Sequence, residues 1–192
     1  MNDSTAASHQ APVRHEEEWA NALTHGFAAV AALVLGYFLV SDAMAQSSGL
    51  ALACEAYIAS VFATFVCSTL SHVILRQPFL NVLRSWDQGM IYSMISGTYT
   101  PIIYRFAPDS VRSPLLIAIW VAAFAGMAAK LLIRHRVNNV TTVSYLRLGW
   151  LPAIPLWGHV PAGLGIGMLV GGILYSLGVV VLINDGKLKY LH

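Results

Sequence analysis

Ser68-x3-His72, followed by Trp86-Asp87, brings three residue types that can do chemistry together into one short stretch. Histidine is a common zinc ligand and proton carrier. A carboxylate can orient a metal-bound water or take its proton, and a serine hydroxyl can donate to a developing oxyanion. The i, i+4 spacing puts Ser68 and His72 on one face of a helix, about 6 Å apart along its axis. Plainer roles exist for each: Ser68 bonded to a backbone carbonyl, His72 wetted at an interface, Asp87 capping a helix N-terminus. Residue type and spacing alone admit metal binding without establishing it.

The elements that must hold these residues are hydrophobic. The chain is 57% hydrophobic and only 10% charged, where soluble domains carry about 25% charged residues. So few charges cannot cover a water-facing surface, and an all-α integral membrane protein is expected. The net charge of +2, with basic residues scattered between apolar runs, excludes a nucleic-acid partner and leaves membrane lipids. Cys54 and Cys67 share one apolar run and read as reduced packing residues rather than a disulfide. Residues 1–18 read as a polar tail, without the pattern of a cleavable signal.

A crossing needs roughly 20 apolar residues, and the apolar runs predict six spans, at about 20–40, 50–75, 88–104, 114–132, 140–157 and 161–183. The fifth carries Arg147, Pro152 and Pro155. The sixth carries Gly163, Gly167 and Gly171, a spacing that predicts close helix packing. Residues 41–49, 76–86 and 105–113 read as connections. Arg14, Arg76, Arg84, Lys130, Arg134, Arg136, Lys187 and Lys189 fall on one side, against Arg105 and Arg112 on the other. Basic residues concentrate on the cytoplasmic side, so both termini are expected there, in the inner membrane. His72, Asp87, Glu18, Asn21, Thr24, His25 and His192 then gather at the cytoplasmic level. Ionisable residues in such places are read as functional; Glu55, Arg147 and His159 stand apart.

Glu18-x2-Asn21-x2-Thr24-His25-Gly26, Ser68-x3-His72, Asp87-Gln-Gly-Met-x4-Ser96-Gly97-Thr98-Tyr99-Thr100-Pro101, Leu148-Gly149-Trp150 and Gly171-Gly172-x2-Tyr175-x2-Gly178 occur in this order. The ordered set resembles the hemolysin III family, the bacterial arm of the progestin and adipoQ receptor group, from Glu18 nearly to the end. The resemblance implies a seven-helix bundle, a cytoplasmic N-terminus and a zinc ion near the cytoplasmic leaflet. In that pattern His72 is one ligand, and a His-x3-His pair opening a seventh helix supplies two more. Ser68 and Asp87 belong to the constellation around the metal and its water. His192 falls where the first histidine of the pair would stand. The sequence stops there, so a bundle truncated before its seventh span is expected.

What the resemblance implies for function is a zinc-dependent membrane hydrolase acting on lipid amides, in the service of membrane homeostasis. Ser68 and Asp87 would be its catalytic residues, His72 and His192 its metal ligands. The competing expectations are a non-enzymatic receptor-like or haemolytic protein, or an inactive remnant. For haemolysis by pore formation, the spans lack a polar lumen face.

Overall fold

Ala, Leu and Val fill the first two apolar runs, no proline interrupts them, and both form long helices. The structure, a computed structural model, describes residues 15–133 and 139–183, with side chains at 15–132 and 143–181. Helix α1 (His15–Gln46) and α2 (Ser48–Val73) are separated only by Ser47, whose hydroxyl accepts from the Leu50 amide and caps α2. The expected loop at 41–49 is therefore almost wholly helical. Residues 15–18, read as part of the polar tail, form the first turn of α1.

Helix α3 (Phe79–Phe106) begins nine residues before the expected third span, because the stretch read as a connection continues the helix. Asp87 consequently lies inside α3 rather than capping it. Helix α4 (Asp109–Ile133) likewise takes in most of the expected turn at 105–113, with Pro114 in its early part. Helix α5 (Asn139–Trp150) passes into a 3-10 turn at Leu151–Ala153, and α6 (Ala162–Ile183) follows. The fifth element differs most from expectation. Twelve helical residues reach only about 18 Å, against a hydrocarbon core of about 30 Å. Pro152, Pro155 and Pro161 stop the helix, and Gly158 takes a φ of 81° that favours glycine at the turn.

Among the described residues, α1, α2, α4 and α6 are long and apolar enough to cross a membrane. Helix α3 is long but more polar, and its position explains why it can be. It packs against α2, α4 and α5, so its hydroxyls meet protein rather than lipid. Ser96 Oγ donates to the Ile119 carbonyl at 3.0 Å, and Tyr99 Oη to the Gly149 carbonyl at 2.5 Å. The Trp120 indole donates to Thr100 Oγ1 at 3.1 Å. The main core gathers around this helix through Tyr92, Ile103, Ile119, Ala123, Tyr145, Leu148 and Leu156. A membrane helical bundle centred on α3 results.

Small residues set the close approaches, but not where the sequence pattern put them. A Cβ on Gly163, Gly167 or Gly171 would meet nothing within 4 Å among the described residues, so the predicted packing role is not found there. The tight contacts are elsewhere. A Cβ on Gly172 would come within 2.8 Å of the Trp150 ring, and one on Gly97 within 2.5 Å of Ser60 Oγ and 2.6 Å of Ser60 Cβ. Gly97→Leu would therefore force α2 and α3 apart, and should cost about 1–3 kcal/mol as overpacking. The thermal unfolding midpoint in detergent reads this, and an unchanged midpoint would show that the helices do not meet at Gly97.

Candidate functional site

The neighbouring ends of α1, α2 and α3 form the polar part of the bundle. Helices α1 and α2 run antiparallel: Glu18 meets His72, His25 meets Ser68, and Gly36 faces Ile58. On α1, Glu18 and His25 are seven residues apart and share a face; on α2, Ser68 and His72 do the same at four. Two polar pairs therefore close across one helix interface.

His72 Nδ1 lies 2.6 Å from Glu18 Oε2, and Arg84 Nη2 of α3 donates to Glu18 Oε1 at 3.1 Å. One carboxylate thus holds a histidine and an arginine with its two oxygens, tying α1 to both α2 and α3. Because a carboxylate accepts, the proton in the first contact sits on Nδ1. Neutral His72 so held keeps its lone pair on Nε2. The Glu18 and His72 side chains are 17% and 20% exposed, shielded enough for the geometry to be held and open enough for water to enter.

Deeper by one turn, Ser68 Oγ lies 2.7 Å from His25 Nδ1. The His25 and His72 rings are 5.7 Å apart between centroids, and Phe65 packs at 5.9 Å on His25. Asp87 reaches the same region from α3, where its Oδ2 accepts from Ser71 Oγ at 3.3 Å. Ser71 is 1% exposed, and its one hydroxyl proton is shared between the Ser68 carbonyl at 2.9 Å and this carboxylate. Ser68, His72 and Asp87 are therefore brought to one end of the bundle, and none takes its plainer role. Ser68 meets a histidine rather than a carbonyl, and His72 is paired instead of merely wet. His192, the other expected ligand, lies outside the described residues. Among the described residues no three His, Cys, Asp or Glu side chains converge as a metal site.

Sequence reasoning brought Glu18 and His25 to this level, but assigned no pairing to them, to Arg84 or to Ser71. The signal for two of them was present: the i, i+7 pair Glu18/His25 complements the i, i+4 pair Ser68/His72 once the two helices are antiparallel. Asn21 and Thr24 were the other polar residues there. Thr24 only bonds back to its own helix, at the Ala20 and Asn21 carbonyls.

Further along α3 from the polar end, an apolar cavity of about 410 Å³ lies between α3, α5 and α6, lined by Met94, Thr98, Tyr99, Trp150, Met168 and Tyr175 among others. Gly167 and Gly171 line it too, which accounts for the open space around them. Met94 and Thr98 follow Asp87 by seven and eleven residues, so one side of α3 runs from the polar end toward the cavity.

A family model described as haemolysin-III related matches residues 13–185. Hemolysin-3 of Bacillus cereus is 32% identical over 182 residues, 92% of this chain and 82% of that protein. A Hemolysin-3 homolog of Bacillus subtilis (strain 168) is also 32% identical, over 92% of this chain and 84% of its own. The Homo sapiens protein named monocyte to macrophage differentiation factor is 26% identical, with 92% and 75% covered. No solved structure matches the chain at a significant level.

Proposed function

This chain belongs to the haemolysin-III-related family of multi-pass membrane proteins, and we propose that its polar end is a zinc site that hydrolyses a lipid amide at the cytoplasmic leaflet of the inner membrane, in the service of membrane homeostasis. The observation that supports this most is the pair His72–Glu18. Metal-ligating histidines characteristically donate their other ring N–H to a carboxylate or carbonyl, which fixes the tautomer and aims the free nitrogen. His72 has that arrangement, with Arg84 holding the carboxylate in turn. The described residues supply this one histidine ligand, and His192 is the second in this reading. Their chemistry, a neutral imidazole with a carboxylate behind it, suits zinc.

Bound zinc would polarise a substrate carbonyl and make its water a nucleophile near neutral pH. The chain's own residues divide the rest. Asp87, steadied by Ser71, orients the attacking water and accepts its proton. Ser68 donates to the oxygen on which negative charge develops. That role requires the tautomer in which His25 Nδ1–H donates to Ser68 Oγ, leaving the serine proton for the substrate. The apolar cavity, which begins at Met94 about 10 Å along α3 from Asp87, offers room for an acyl chain. Orientation rests on charge: Arg76, Arg84 and Lys130 lie toward the polar end, and Arg105 and Arg112 toward the other.

Zinc analysis of the purified full chain, loaded and then washed free of excess metal, tests this reading. The expected result is bound zinc, with affinity falling about 10- to 100-fold in Glu18→Gln. Equal, negligible zinc in wild type and in His72→Ala would sink it.

A further inference from the structure

Arg147 stands at a place where a cation is hard to keep. It lies on the exposed stripe of α5 that continues through Val143, Trp150, Leu151 and Ile154, all apolar apart from the arginine itself. Its Cα is about 12 Å along the axis from the start of α5 at Asn139. Tyr92, near the middle of α3, bonds Ser144 at 2.6 Å, which puts this part of α5 level with the centre of the bundle. Among the described residues Arg147 has no hydrogen bond and no ion pair. A carboxylate so placed could protonate, but a guanidinium stays charged. An intramembrane arginine therefore calls for an anion.

Arg147 itself lines a cavity of about 460 Å³ between α3, α4 and α5, together with Leu115, Ile119, Ala122, Leu148 and Leu151 and the bonded pair Tyr92 and Ser144. No acidic residue lines it. Side chains on a helix lean toward its N-terminus, which carries the Arg147 head toward Ser144, with which it lines the cavity. The volume lies within the range of small-ligand pockets. An apolar chamber with one fixed positive charge matches an amphiphile with one anionic head and one chain.

We propose that this cavity binds a long-chain carboxylate, its head group paired with Arg147 and its chain lying against Leu115, Ile119 and Leu151. Depth selects the carboxylate over a phospholipid. A carboxylic acid reaches the membrane interior uncharged and ionises against the guanidinium, releasing its proton to water. A phosphodiester would have to be carried there already charged, at a large desolvation penalty. The site shares no lining residue with the Ser68–His72–Asp87 end, so it stands independently of the zinc reading.

The test uses the full chain in phosphatidylcholine nanodiscs and a palmitic acid bearing a photoreactive diazirine on its chain. Label should map to α4 and α5, be displaced by palmitate and not by methyl palmitate, and fall about tenfold or more in Arg147→Gln. Arg147→Lys should keep much of it. Ala122→Phe, which fills the cavity and leaves the charge in place, should abolish it independently. His72→Ala should label as wild type does. Displacement by the methyl ester as effective as by palmitate, or full labelling in both Arg147→Gln and Ala122→Phe, overturns the proposal. So does stronger displacement by phosphatidylglycerol than by palmitate, which would assign the cavity to a phospholipid.

Discussion

His72→Ala should leave the purified protein without retained zinc while the bundle stays folded. The two halves of this expectation have different causes. On the proposed zinc reading, the metal is lost because this imidazole is the histidine ligand that the described residues offer. His25 is the nearest imidazole, but its bond to Ser68 Oγ at 2.7 Å holds its ring 5.7 Å, between centroids, from that of His72, so it does not take up the position His72 vacates. Folding survives because Glu18 keeps Arg84 as a partner at 3.1 Å, so the carboxylate is not left alone in a shielded place. Stranding a buried charge costs about 3–5 kcal/mol, and the retained arginine avoids it. Glu18→Ala should do the opposite to stability. It removes the carboxylate that His72 and Arg84 share and with it the link between three helices, and should lower the unfolding midpoint further than His72→Ala does. Metal analysis and thermal unfolding on both variants separate the roles. A His72→Ala protein that retains wild-type zinc would remove this residue from the metal site.

The membrane class was legible in the sequence because it depends on bulk quantities, the low charge and the long apolar runs, that no tertiary detail can reverse. Helices α1, α2, α4 and α6 follow from the same quantities. Helix α3 was legible only in its apolar half. Its first eight residues, with Asn81 and Arg84, look like a polar connection until neighbouring helices supply partners, and Arg84 is helical partly because Glu18 waits across the interface. The shortness of α5 was written in Pro152 and Pro155, but the apolar residues that continue past them to Trp157 concealed it. At the site, the residue types of Ser68, His72 and Asp87 announced themselves through their cost inside a membrane. Their partners did not, since Glu18–His72 and His25–Ser68 are separated by 54 and 43 positions in the chain. Such pairs become visible only when the register of two antiparallel helices is known. The glycine series of α6 shows the reverse error: a motif with a strong general meaning, used here to line a cavity.

Asp87→Asn should retain zinc and lose about 10²- to 10⁴-fold in lipid-amide turnover, the range a positioned acid–base group contributes. The amide is nearly the same size, and its oxygen can still accept from Ser71 Oγ, now 3.3 Å from Asp87 Oδ2. Local structure should therefore be preserved, and what disappears is the capacity to take a proton from water. Ser71→Ala provides the necessary contrast. It removes the hydrogen bond and leaves the carboxylate, so turnover should fall by only about tenfold, as expected for one lost hydrogen bond. Ser68→Ala should lie between them, since it removes a donor to the developing oxyanion, an effect of about 10²- to 10³-fold where such a donor acts. The order Asp87→Asn, Ser68→Ala, Ser71→Ala from most to least damaging follows from proton transfer, charge stabilisation and positioning respectively. If Asp87→Asn turned over substrate as fast as Ser71→Ala, the carboxylate would be a structural acceptor for Ser71, and the water would be activated by something else.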